Sequence, residues 1–245
     1  PELPADRPVM PADEPRSEDA PRPRLLLVRL HVWTLRLPVG LASRSEDLWS
    51  YLDEEPVGAR RLASLGRNGL RVGTAPADAW GQLAKLLREM TGRSIQRSQL
   101  ATLPGSPVDF VLKEDCPAAT IFTSHDDRTL TGADYPPGDY VLMLTATVDV
   151  QDPSFVVLTG MPQIRAGEPR PRYVRAGARY RLVTTSNRYN FEHLRFQLTV
   201  GENDIIVIGP GTQSRRATSI ARSFLVRSEE GMDFETVLVI RPELS

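Results

Sequence analysis

Two strand-like runs flanking a Gly/Pro/Ser/Arg connection occupy the last fifty residues of this 245-residue chain, and they constrain its fold more than any other stretch. Leu194, Phe196, Leu198 and Val200 alternate with Arg195, Gln197 and Thr199, the period of a strand with one buried face. A polar turn at Gly201-Glu202-Asn203-Asp204 then returns the chain into Ile205–Ile208. After Gly209-Pro210-Gly211, the pattern predicts a second hairpin, Ser223–Arg227 against Phe234–Ile240 across Glu230-Gly231. This part of the chain reads as antiparallel sheet, with no catalytic constellation in it.

Further back, the chain divides by composition. Residues 1–24 hold seven prolines at positions 1, 4, 8, 11, 15, 21 and 23, with charges between them. Such a segment buries too little apolar surface to offset its ordering entropy and reads as a disordered Pro-rich leader. Residues 25–93 read as a small α/β module. Leu25–Leu37 is a strand, and Ser45 caps a helix with Glu46 and Asp47 in its first turn. Ala59, Leu62, Ala63 and Leu65 line a second helix closed by Asn68-Gly69. Trp80, Leu83, Leu87 and Met90 mark a third at helical spacing. Residues 94–245 are punctuated by turn clusters such as Pro136-Pro137-Gly138-Asp139 and Gly167-Glu168-Pro169. They read as a mostly antiparallel β-sandwich or open-barrel domain. The expected class is α+β.

A net charge of −1 gives no whole-molecule attraction to nucleic acid or an anionic membrane. Basic charge is carried by 28 arginines and only two lysines, Lys85 and Lys113. Cys116 is the only cysteine, so neither an internal disulfide nor a cysteine zinc site can form, and it reads as an inert thiol. No apolar run approaches the ~20 residues of a membrane-spanning helix. The sequence begins at Pro1 rather than Met, as a processed product or a recombinant fragment would.

The string LTVGENDIIVIGP, Leu198–Pro210, resembles the part of bacterial secretins of the type II and type IV pilus systems in which a strand precedes a glycine-turned hairpin. FLVRSEEG (Phe224–Gly231) and ETVLVIRPEL (Glu235–Leu244) are similar to the closing strand of that family. The α/β module also resembles the small ring-forming domains that precede a secretin core. The Val-Pro-x-Leu-Gly gate segment has no counterpart: residues 211–220 read Gly-Thr-Gln-Ser-Arg-Arg-Ala-Thr-Ser-Ile. Leu48–Glu54 with Asn68–Val72 is similar to segments of uncharacterised planctomycete envelope proteins. The resemblance implies a homo-oligomeric or complex-bound structural protein of the periplasm or outer membrane, gathered edge to edge through its strands.

Three groups of side chains compete as functional sites. Thr123-Ser124-His125-Asp126-Asp127-Arg128 is the densest reactive run, but successive residues point apart and form no triad. His125, Asp126 and Asp127 become a metal-dependent hydrolase site only with further ligands from elsewhere; otherwise the run is a turn whose carboxylates bond local amides. Arg170, Arg172, Arg175, Arg179 and Arg181 sit among Tyr173, Tyr180, Tyr189 and Phe191. They read as a solvated sheet face, a protein or polyanion contact, or a nucleic-acid surface. Phe196, Leu198, Leu238 and Ile240 are the expected contacts on exposed strand edges. The favoured reading is a non-enzymatic interaction protein with protein partners, no nucleic acid, no catalytic residue, no metal and no cofactor.

Overall fold

Ile205–Ile208 and Val237–Ile240 contain no polar residue, and a strand of that kind needs cover on both faces. The computed structural model, which describes residues 26–91, 95–177 and 179–245, supplies it. The leader expected at 1–24 lies outside the described residues. A six-stranded antiparallel sheet draws on β1 (Val28–Pro38), β2 (Leu70–Ala75), β3 (Gln96–Thr102), β11 (Ile205–Pro210), β12 (Val226–Glu229) and β13 (Met232–Leu244). Its order is β2-β11-β13-β1-β3, with β12 also paired to β13. β1 and β13 pair without interruption from Val28↔Leu244 to Pro38↔Phe234.

The second sheet has the order β10-β8-β7-β4 and is built from β4 (Pro107–Cys116), β7 (Gly138–Val148), β8 (Phe155–Ala176) and β10 (Phe196–Gly201). β9 (Arg179–Asn190) pairs with β8 on the flank that β10 also uses. Strands β5 (Ala119–Ser124) and β6 (Leu130–Tyr135) form a separate hairpin. The class is α+β, mostly antiparallel and built from open sheets.

Side-chain parity fixes the layers. Val28, Leu30 and Val32 of β1, Ile206 and Ile208 of β11, and Leu238 and Ile240 of β13 face the second sheet. There they meet Leu142, Leu144, Val156, Leu158 and Leu198. The alternate residues Leu35, Leu37, Ile205, Val207, Val237 and Val239 face the other way, against Leu48 and Trp49 of α1 (Glu46–Ser50) and Leu83 and Leu87 of α3 (Trp80–Thr91). Ile205–Ile208 and Val237–Ile240 are therefore apolar on every residue because helices cover one side and a sheet covers the other.

The helices start and stop where local chemistry directs. Ser45 accepts the Leu48 amide at 3.0 Å and caps α1. α2 (Ala59–Arg67) ends at Asn68, and Gly69 turns the chain at φ +80°. Among the described residues no helix is long and apolar enough to cross a membrane.

Four readings are corrected. The chain does not fold back on itself at Gly201–Asp204: β10 belongs to one sheet and β11 to the other, so this turn carries it between layers. Ser223–Leu225 is helical, within α4 (Ile220–Leu225), because the Ser219 hydroxyl accepts the Arg222 amide and starts a helix; the hairpin opposite β13 begins only at Val226. Gly167-Glu168-Pro169 is an irregularity inside β8, where the pairing with β9 shifts between Ala166 and Arg170. The sheet containing β1 and β2 is completed by β11 and β13, so pairing crosses the boundary drawn at residue 93.

Candidate functional site

Strand alternation says that one face is buried without saying by what. Phe196, Leu198, Leu238 and Ile240 are 3%, 1%, 0% and 0% exposed, packed inside this chain's own core. β13 has β1 on one edge and β11 and β12 on the other, leaving no rim for a partner strand. The expected docking role of these four side chains is corrected accordingly, since their cover comes from within the fold; β10 itself is an edge strand, paired with β8 alone.

The arginine-rich stretch occupies a different position. β7 ends opposite Ala166 of β8, and beyond that point β8 pairs with β9 alone. Residues 167–176 and 179–187 therefore make a two-stranded ribbon past the edge of the sheet. Its base is clamped by charge. Arg188 grips Asp109 with two nitrogens at 2.9 and 2.8 Å, and Arg165 reaches Asp139 at 2.8 Å. Partial burial raises the Asp139 pKa, but hydrogen bonds from Arg165 and the Asp115 amide outweigh it and hold the carboxyl below its usual range.

On the ribbon itself, Tyr173 lies opposite Leu182, and Arg175 opposite Tyr180. Cross-strand partners share a face, and so do residues two apart on one strand. These four side chains therefore form one surface, with Tyr173 and Tyr180 each 71% exposed and Leu182 54% exposed. Arg175 Nε donates to the Gly177 carbonyl at 3.0 Å. The side chains of Arg170, Arg172, Arg179 and Arg181 lie outside the described residues, although their backbones belong to this ribbon.

The His125 run is the turn between β5 and β6, and its carboxylates are occupied. Asp127 accepts the Thr129 amide at 2.9 Å and the Thr129 hydroxyl at 2.7 Å. Asp126 accepts Arg60 at 2.8 Å and Arg67 at 3.3 Å, both on α2. Among the described residues no group of three His, Cys, Asp or Glu side chains is placed to hold a metal.

The fold brings the His193 ring to 4.9 Å from that of His125. The separation of 68 positions gave no signal for this; only the docking of α2 between the β5–β6 turn and the 3₁₀ turn Glu192–Leu194 creates it. Arg61 and Ser64 of α2 both donate to the His193 carbonyl. Among the described residues His193 Nε2 is buried without a hydrogen-bond partner. Burial first, then the neighbouring His125 and Arg61, pull its pKa from 6.5 down to about 4.

The folded value lies below the unfolded one, so the unfolded chain takes up the proton first as pH falls. Stability from this group is complete above about pH 6.5 and is lost toward pH 4. After allowance for its partial exposure, the expected loss is about 1 kcal/mol. Urea unfolding at pH 7 and pH 4.5 measures it. The loss should shrink in His193→Gln, and an equal drop in both proteins would assign it to other groups.

No family model matches this chain, and no curated protein matches its sequence. Among solved structures, similarity is found to the Vibrio cholerae type IV competence pilus secretin PilQ, at 13% identity and a TM-score of 0.24 over 90% of this chain and 57% of that one. The secretin of the ETEC AspS–GspD pilotin–secretin complex is similar at 9% identity and a TM-score of 0.23, over 89% of this chain and 48% of that one. The chain spans about half the length of the secretin chains it matches. The structural likeness to secretins is weak and extends over most of the chain.

Proposed function

We propose that this protein is a non-enzymatic assembly module, built into a multi-copy structure of a bacterial cell envelope through the β8–β9 ribbon. The observation that carries this is the uncovered ribbon face formed by Tyr173, Arg175, Tyr180 and Leu182. A two-stranded ribbon has no core of its own and is marginal in water without a third layer or strand. Exposed tyrosines beside an arginine are the composition that anchors protein contacts.

The occupant we assign is a second copy of this chain. Between residues 165 and 188 there are seven arginines and one glutamate, in a chain whose net charge is −1. The remainder is net acidic, so a basic ribbon and an acidic body meet favourably when copies associate. The secretin-like character and the periplasmic or outer-membrane setting are the finer part of the proposal. They draw on the sequence resemblance in 198–210 and 224–244 and are checked by cell fractionation.

Light scattering across a concentration series tests the assembly. The native chain is expected to associate. A variant carrying Tyr173→Ala, Tyr180→Ala and Leu182→Ser should weaken that association by roughly a hundredfold or more. These side chains are exposed, so the variant should keep its circular dichroism spectrum. A native protein that stays monomeric at high concentration would overturn the reading, and so would a triple variant that assembles unchanged.

A further inference from the structure

The space between the two sheets is apolar at one end and polar at the other. The face of β1 that presents Val28, Leu30 and Val32 to the core continues with Thr34 and Arg36. On β13 the same face runs from Ile240 and Leu238 to Thr236. Where the polar residues begin, β4 stands off from the six-stranded sheet and a cleft of about 220 Å³ opens.

Its lining carries several donors that have no protein acceptor among the described residues. The side chain of Arg227 on β12 is half-buried there and makes no hydrogen bond or ion pair among the described residues. The Thr34 and Thr236 hydroxyls and the Gln96 carboxamide, which also face the cleft, make no side-chain hydrogen bond among the described residues. Arg36 commits one nitrogen to Glu229 at 2.9 Å, and its guanidinium carries others. Lys113 forms part of the wall, with its ammonium held by the carbonyls of Arg222, Ser223 and Val226 near the C-terminal end of α4. Burial first, and then the positive charges of Arg227 and Arg222, bring the Lys113 pKa down to about 8. Glu114 is the one carboxylate of the lining. A part-buried guanidinium that makes no ion pair among the described residues, beside the cationic Lys113 and Arg36, is stabilised by an anion that fits beside it.

We infer that this cleft is a binding site for a small oxyanion, with the Arg227 guanidinium as its principal contact and Arg36, Gln96, Thr34 and Thr236 as further donors. Arginine presents a planar fork that matches the oxygen spacing of phosphate or carboxylate. The volume suits the anionic group and its first attached carbons rather than a large cofactor. This site is separate from the β8–β9 ribbon and stands whether or not copies of the chain associate.

Isothermal titration calorimetry of the full chain with inorganic phosphate and with acetate tests it, with sodium chloride at matched ionic strength as the control. Saturable, one-to-one binding is expected for phosphate or acetate, and the stronger of the two distinguishes a phosphoryl from a carboxylate ligand. Arg227→Gln should weaken it roughly tenfold or more, and Arg36→Gln should weaken it by a smaller factor. Arg60→Gln, at a residue outside the cleft lining that pairs with Asp126, should leave it unchanged. No heat beyond that of chloride, or binding untouched in both Arg227→Gln and Arg36→Gln, would overturn the inference.

Discussion

Replacing Glu235 with alanine is expected to lower the unfolding free energy by about 3 to 5 kcal/mol. Glu235 lies on β13 and is 0% exposed. Its carboxylate accepts the Ala42 amide at 3.1 Å, the Ser43 amide at 3.0 Å and the Ser43 hydroxyl at 2.5 Å. The same loop offers the Ala42 carbonyl to the indole nitrogen of Trp49 at 2.9 Å. One side chain thereby satisfies three buried donors and ties the segment ahead of α1 to the middle of the sheet. Alanine strips all three donors of their acceptor and leaves a void. Glu235→Gln retains one acceptor oxygen but turns an NH₂ group toward donors, so its cost should be about 2 kcal/mol. Urea denaturation followed by tryptophan fluorescence measures both. An alanine variant within about 1 kcal/mol of the native protein would show that the loop does not depend on this carboxylate.

Gly69→Ala should be nearly as damaging, at about 3 kcal/mol, and Gly58→Ala supplies the comparison that explains why. Both glycines have positive φ, +80° and +81°. At Gly58 an added methyl meets nothing within 4 Å, so only backbone strain applies, about 2 kcal/mol for a residue with a Cβ at φ +81° and ψ 136°. At Gly69 the methyl would sit 2.6 Å from the Ser214 amide nitrogen and 2.9 Å from the Gln213 carbonyl carbon. Those are backbone atoms, which cannot swing aside as a side chain would. The Gly69 carbonyl also accepts the Gly211 amide at 2.6 Å, and the Asn68 carbonyl accepts that of Ala221 at 3.1 Å. Displacing the 212–215 turn therefore loosens the approach to α4. Equal destabilisation by the two substitutions in matched urea titrations would refute the steric account.

Local chemistry was the readable part of this chain. Ser45, Asn68 and Gly69 announce helix ends through their own hydrogen-bonding and φ preferences, and the structure places a cap or a turn at each. The alternation from Phe196 to Val200 announces a strand with one buried face, and β10 has it. What alternation cannot convey is the identity of the neighbour. Leu238 and Ile240 look the same whether another copy or β1 and the second sheet cover them. Glu235 was hidden for a related reason: in FETVLVI it reads as an outward polar residue until the loop at Ala42–Ser43 closes over it. The His125–His193 contact depends on three elements meeting, and neither histidine's own surroundings in the sequence encode it. Ser223–Leu225 was read as strand because Phe224 and Leu225 are apolar, whereas the Ser219 cap outweighs that preference.

The uninterrupted pairing of β1 with β13 has a kinetic consequence. β1 can find β13 only across the 193 residues between Pro38 and Met232, and closing so long a loop is entropically expensive before any contact rewards it. Until Met232–Leu244 has been made, β1 lacks its longest neighbour and β11 lacks one of its two. A nascent chain must carry those apolar strands incompletely paired until β13 is made, and this exposure is the physical condition under which holdase chaperones act.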